Sequence, residues 1–130
     1  MDKDILNISK IETYLNELFD NKVSENTFFT ELPPAIKQSW NDMVVVDFPN
    51  TVTDLNAYGS GKVLVFLYAK PMSDGKKNVA VLSQMEQKLN ECLASANDAH
   101  YKLVREGEYT DYDEPKNLHC NIVELNLIII

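Results

Sequence analysis

An uninterrupted apolar run, residues 63–69 with the sequence Val-Leu-Val-Phe-Leu-Tyr-Ala, constrains the fold more than any other feature of this sequence. The run is apolar at both alternating positions and contains β-branched and aromatic side chains. This pattern is typical of a strand in the middle of a sheet that is covered on both faces. The polar stretch of residues 50–62 before the run, which contains Gly59-Ser60-Gly61, is predicted to be a loop or a wide hairpin, and Pro71 and Gly75 end the run on the other side. The core is therefore predicted to form around this strand.

Two amphipathic helices are predicted, one before this strand and one after it. In the first, apolar residues spaced by three and four extend from Ile5 to Phe19. Ser9 and Glu12 have the spacing of a capping box, although Asp2 or Asp4 would allow an earlier start. The second helix has an apolar stripe of Val79, Leu82, Met85, Leu89, Cys92, Leu93 and Ala96.

Further strands are predicted at residues 43–48, 101–105 and 118–130, with a short extended piece at residues 27–32. The order of elements predicts an α+β fold with an N-terminal helix. Its sheet is expected to be mainly antiparallel, with four to five strands and one long helix packed on one face. No internal repeat and no long linker interrupts the chain, so residues 1–130 are expected to form a single domain.

Composition argues against several classes of function. Twenty acidic and twelve basic residues give a formal net charge of −8, which disfavours direct, sequence-specific nucleic-acid binding. The longest apolar run is too short to cross a bilayer, and the N-terminus has charges where a signal peptide is apolar. A cytoplasmic protein without a membrane partner is expected. Cys92 and Cys120 are too few for a disulfide framework or a thiolate zinc site, so buried free thiols are expected.

No motif in the sequence predicts catalysis. Gly59-Ser60-Gly61-Lys62 lacks the earlier glycine, the following serine or threonine, and the helix of a phosphate-binding loop. His119 and Cys120 are neighbours on a predicted strand, so their side chains point to opposite faces and cannot form a thiolate–imidazole pair. We therefore expect no enzyme activity, no cofactor and no metal.

Two features indicate contacts with other proteins. The first is an acidic segment in which Tyr109 and Tyr112 alternate with carboxylates; its spacing does not fit a calcium loop. It is either a solvated hairpin tip or a contact surface, since aromatic residues are enriched at interfaces. The second is the C-terminus, where the strand becomes apolar on both faces and needs a cover from a helix of this chain or from a neighbouring subunit. The predicted interface residues are Glu108, Tyr109, Asp111, Tyr112, Asp113, Glu114, Ile128, Ile129 and Ile130.

The layout has distinctive points along nearly the whole chain. The strand Val44-Val45-Val46 comes after Glu31-Leu32-Pro33-Pro34 and before the loop at Asp54-Leu55. A long helix comes directly after the apolar strand, and a charged hairpin leads into residues 118–125. This order of elements resembles the tail-terminator and minor tail (head-tail completion) proteins of long-tailed bacteriophages and prophages.

The resemblance implies a ring of subunits, often six, that caps the tail tube and joins it to head-side proteins. Such a protein would be found in the cytoplasm of the bacterial host or in the virion, and the family has no catalytic residues to carry over. The segment from Pro33 to Trp40 has no counterpart in it, which leaves Trp40 as either a core or an interface anchor. An alternative function is a monomeric intracellular adaptor or immunity-type module that uses the acidic hairpin against a basic partner.

Overall fold

The computed structural model describes residues 7–50, 52–96 and 98–130. Within them the chain forms two helices and one six-stranded, mostly antiparallel sheet, so the predicted α+β fold is confirmed with a strand more than expected. The elements in chain order are α1 (Ile8–Phe19), β1 (Thr27–Phe29), β2 (Asp42–Asp47), β3 (Val52–Asp54), β4 (Gly59–Ala69), α2 (Val79–Ser95), β5 (Tyr101–Asp113) and β6 (Leu118–Ile129).

The strand order in the sheet is β1-β2-β4-β6-β5. β1 lies parallel to β2, and the other pairs are antiparallel. β2 pairs with residues 64–69 of β4, whereas β3 pairs with residues 59–61. Because β6 lies between β4 and β5, the C-terminal strand is not a sheet edge, and neighbouring strands of the same chain supply the lateral cover that its sequence requires.

The helices cover one face of the sheet, called here the helix-covered face. α1 begins at an Asn7 cap, whose side chain accepts a hydrogen bond from the Ser9 amide at 2.9 Å, so the predicted Ser9–Glu12 capping box is wrong. Ile5, Asp2 and Asp4 lie outside the described residues. Val79 is exposed because it is the first residue of α2, and the buried stripe of that helix begins at Leu82. The residues that form the helix-side core include Ile11, Leu15, Phe19, Leu82, Met85, Leu89, Val65, Val123, Leu125 and Ile129.

The opposite face of the sheet, called here the open face, is only partly covered. The segment of residues 30–41 packs on it at the β2 end, where Leu32, Ile36 and Trp40 belong to a second cluster with Met43 and Val45. The Trp40 ring lies 5.3 Å from the Phe28 ring, so Trp40 is an anchor of this second core. From Val63 to Ala69, alternate side chains of β4 are fully buried against the helices and half-buried on the open face. The predicted central strand is confirmed, but its second face is incompletely covered.

Both cysteines are buried free thiols, as predicted. Burial raises the pKa of the Cys120 thiol to about 12 and also raises the pKa of the Cys92 thiol. These thiols are therefore protonated at neutral pH. In the described part of the chain, neither helix combines the length and apolar character needed to cross a membrane.

Candidate protein-binding edge

The strand β5 is the last strand of the sheet, and its pairing differs from the sequence prediction. It pairs with β6 along its length, from Tyr101 opposite Ile129 to Asp113 opposite Leu118. In the described residues no strand pairs with its other side. The sequence analysis ended this strand at Arg105 and left the acidic segment as either a solvated hairpin tip or a contact surface. Most of the segment belongs to the ladder, and only residues 114–117 form the turn. Asn117 closes the turn in the left-handed conformation, with φ of 52°.

A β-bulge interrupts β5 between Arg105 and Gly107 and leaves Glu106 as the extra residue. The bulge shifts the alternation of side chains by one position. Lys102 pairs with Ile128 and Asp111 pairs with Cys120, so both lie on the open face although their positions in the sequence differ by an odd number. In an unbroken strand they would lie on opposite faces. The bulge therefore determines which charges share a face along this edge.

The predicted interface residues of β5 remain accessible. Tyr109 lies on the open face opposite Ile122, and Tyr112 lies on the helix-covered face opposite His119. Both tyrosines are nearly half exposed, Glu108, Asp111 and Glu114 are exposed, and Asp113 is half-buried. The Tyr112 hydroxyl donates to Asn117 Oδ1, and its ring lies 4.8 Å from the His119 ring. Tyr112 is thus held in place, while the packing leaves Tyr109 facing outward.

The three C-terminal isoleucines, predicted together as interface residues, have different environments. Ile129 is 0% exposed in the helix-side core, so it has no surface to offer another chain and the prediction is corrected for this residue. Ile128 is half-buried on the open face, and Ile130 is 47% exposed. The difference arises because successive side chains of a strand point to opposite faces, and only one face lies under the helices.

A charged cluster that the sequence analysis missed attaches β5 to α2. The Arg105 guanidinium lies 3.0 Å from the Glu108 carboxylate and 3.6 Å from the Glu86 carboxylate, and it donates to Asn90 Oδ1 at 2.8 Å. Glu86 and Asn90 are one helical turn apart on the polar side of α2, a spacing visible in the sequence. Without the fold, however, nothing in the sequence pairs this turn with Arg105.

The two carboxyl groups of this cluster have opposite pKa shifts. Burial, followed by the hydrogen bond and charge of Glu108, raises the pKa of Glu86, and Arg105 offsets this only in part. The hydrogen bond from Glu86, supported by Arg105, lowers the pKa of Glu108. The cluster therefore favours a proton on Glu86 and a negative charge on Glu108.

A second candidate is a groove between α1 and the end of β2, with a volume of about 360 Å³. Its lining includes Glu12, Asn16, Thr30 and Asp47. Thr30 has φ of 80°, which is uncommon for a β-branched residue, and its amide donates to the Val46 carbonyl at 2.9 Å.

Neither histidine lines this groove. His100 lies beside the C-terminal strand, with Nδ1 3.2 Å from the Ile130 carbonyl, and His119 packs against Tyr112. Among residues 7–50, 52–96 and 98–130, no group of histidine, cysteine and carboxylate side chains has an arrangement that would hold a metal ion. The β5 edge is the candidate site that combines exposed aromatic and charged side chains.

The fold and this edge define an α+β domain with a long accessible edge strand. No protein-family model matches the chain, and a comparison with curated proteins found no match. The similarity to phage tail proteins thus remains a prediction from the order of elements.

Proposed function

We propose that this chain is a non-enzymatic assembly subunit that binds other protein chains along β5. The observation that carries the proposal is the length of β5 (Tyr101–Asp113), which pairs with another described strand on one side only. An edge strand presents a row of backbone N–H and C=O groups, and extended segments of other chains bind such edges by continuing the sheet.

The side chains of this edge favour a protein partner. Val104 and Tyr109 are each 47% exposed on the open face, and Tyr112 extends the apolar surface on the other face. Tyrosine is enriched at protein interfaces because it combines a large apolar area with a polar hydroxyl group. The charged residues Lys102, Asp111 and Glu114 surround this apolar surface. Backbone pairing would supply affinity in such a contact, and these side chains would select the partner.

The more specific proposal is a role in the tail of a phage or prophage, as a terminator-like ring at the head-proximal end. It rests on the order of elements, which resembles that family. A cyclic ring uses heterologous contacts, in which one surface of a subunit meets a different surface of the next, and an accessible edge strand is suited to such a contact. The net charge of −8 is compatible with a ring around passing DNA, because it disfavours DNA binding. The protein would then be located in the bacterial cytoplasm before assembly and in the virion afterwards.

The test combines native mass spectrometry with electron microscopy of the purified chain, alone and with tail-tube protein. We expect closed rings or binding to tube ends, and we expect Tyr109→Arg to abolish either one. Val79→Arg is the matched control, because Val79 is also an exposed apolar residue but lies at the start of α2. A chain that stays monomeric at high concentration and ignores tail-tube protein would refute the tail assignment.

A second candidate function is a monomeric adaptor that binds a basic partner. It is favoured by the exposed carboxylates of Glu108, Asp111 and Glu114 at one end of β5. Reversing the charges of Asp111 and Glu114 should then abolish capture of a basic partner protein without changing the thermal unfolding temperature. Capture that survives the reversal would rule out this candidate.

A further inference from the structure

The charges along β5 are arranged so that the strand is complementary to itself. Lys102 and Arg105 precede the bulge, whereas Glu108 and Asp111 follow it. We propose that the chain pairs with a second copy of itself through this edge, in an antiparallel and two-fold symmetric arrangement that joins the two sheets. This inference rests on the proposed role of β5 as the binding edge, and it adds the identity and the register of one partner.

The register follows from placing the two-fold axis at the bulge, between Glu106 and Gly107. Lys102 then lies opposite Asp111 of the second copy, and Arg105 lies opposite its Glu108. Val104 lies opposite its Tyr109, which brings together two side chains that are each 47% exposed in the single chain. Symmetry makes every one of these contacts twice. Opposite charges and apolar–aromatic pairs directly across two strands stabilise a sheet.

The two faces of the sheet also match in this register. Lys102, Val104, Tyr109 and Asp111 all lie on the open face, because their partners on β6 all lie there. Residues paired across two antiparallel strands must share a face. Lys102 and Asp111 meet this condition only because the bulge shifts the alternation of β5 by one residue. The bulge is thus the feature that makes the strand complementary to itself.

The edge has room for a second strand on the helix-covered face as well. Glu108, Thr110 and Tyr112 point to that face and are exposed, which shows that α2 does not extend over this part of β5. Before the bulge, side chains of α2 contact β5 at Arg105, through Glu86 and Asn90. A neighbouring strand can therefore approach without displacing the helix.

The charge pattern favours a second copy over a uniformly basic partner. An edge strand whose charges serve only to prevent aggregation needs charged side chains, but the positive and negative ones can follow in any order along the strand. Here the basic residues precede the bulge and the acidic residues follow it, so a basic strand would meet Lys102 and Arg105 unfavourably. The two-fold pair would occupy the β5 edge that the proposed ring also uses. The pair and the ring would therefore be alternative assemblies of the same chain.

The test is a charge exchange between Lys102 and Asp111, both of which are exposed. Lys102→Glu and Asp111→Lys each replace two attractive contacts with two repulsive ones, so each variant alone should dimerise at least about tenfold more weakly. An equimolar mixture of the two variants should recover the dimer, because one of each gives opposite charges at both sites. Sedimentation equilibrium measures the dissociation constants of the Lys102→Glu dimer, the Asp111→Lys dimer and the mixed dimer. Lys22→Glu is the control, because it reverses a charge on the exposed surface after α1.

Cross-linking tests the register independently. Val104→Cys mixed with Tyr109→Cys should form an intermolecular disulfide under mild oxidation, whereas either variant alone should not, because each position lies opposite the other. The native thiols are buried and leave the background low. A wild-type chain that is monomeric, or a mixture of charge variants that recovers no dimer, overturns the inference. Larger rings that are insensitive to the charge exchange would overturn this pairing while supporting the proposed function.

Discussion

Truncation of Ile129 to alanine tests whether the C-terminal strand is an internal strand of the sheet. Ile129 is 0% exposed and lies between Gly59 of β4 and Tyr101 of β5 under the helices. The lost carbons are worth about 2.4 kcal/mol at about 0.8 kcal/mol for each methylene, and the cavity raises the expected loss to about 3–4 kcal/mol. Ile130, one residue later, is 47% exposed, and the same truncation there should cost less than about 1 kcal/mol.

Urea unfolding followed by circular dichroism measures both variants, together with Ile128→Ala, which should be intermediate because Ile128 is half-buried. The slope of the transition must stay constant for the midpoints to report stability. The assigned burial would be refuted if Ile130→Ala cost as much as Ile129→Ala, or if Ile129→Ala left the midpoint unchanged. An exposed C-terminal edge would give small, similar effects at all three positions.

Four other substitutions test individual contacts. The hydroxyl of Tyr14 is buried without a hydrogen-bond partner among the described residues, and burial raises its pKa from 10.0 to about 12. Tyr14→Phe should therefore raise the free energy of unfolding by up to about 1 kcal/mol. It should also reduce the stability loss that wild type shows as pH rises from 10 to 12, while burial of Tyr68, which raises its pKa, leaves part of that loss in place. Urea unfolding at each pH measures both effects, and a destabilised variant would contradict the assignment. The pKa of Glu86 is raised in the fold, so protonated Glu86 stabilises the folded state at acid pH. This stabilisation is lost as pH rises through the pKa that Glu86 has in the folded state. Between acid and neutral pH, Glu86→Gln should therefore lose less stability than wild type. The pKa of Glu108 is lowered in the fold, so Glu108→Gln should become more stable relative to wild type as pH falls. Thermal unfolding at each pH measures the difference in stability between each variant and wild type. The assignment would be refuted if this difference changed with pH in the same direction for Glu86→Gln and Glu108→Gln. Trp40→Ala should cost about 2 kcal/mol, since this half-buried ring packs on Phe28, and an unchanged urea midpoint would place Trp40 outside the core.

The elements with strong periodic patterns could be predicted from the sequence. The apolar run became β4, and the stripe from Leu82 to Cys92 became the buried side of α2, because both patterns are dictated by which side chains avoid water. β3 was missed because Val52–Asp54 has no such pattern. These residues form a strand because they pair with residues 59–61 of β4. The acidic half of β5 was missed because Asp and Glu are rare in strands, and pairing with β6 overcame that preference.

The candidate site depended on the tertiary structure to a greater extent. The sequence identified the tyrosines and carboxylates of residues 108–114 as accessible, because alternating polar and aromatic residues cannot form a core. It did not show that they lie on an edge strand, since the position of β5 follows from long-range pairing of β6 with β4. The face on which each side chain lies was also hidden, because the bulge at Glu106 changes the alternation and has no signal in the residue pattern.

The apolar run of residues 63–69 determined where the core would form, and these residues lie at its centre. Hydrophobicity along the chain is a local property, so the sequence alone was sufficient for that conclusion. What covers each face of this strand is not local. Only the tertiary structure placed both helices on one face and Trp40 on the other, because these contacts join residues that are distant in the chain.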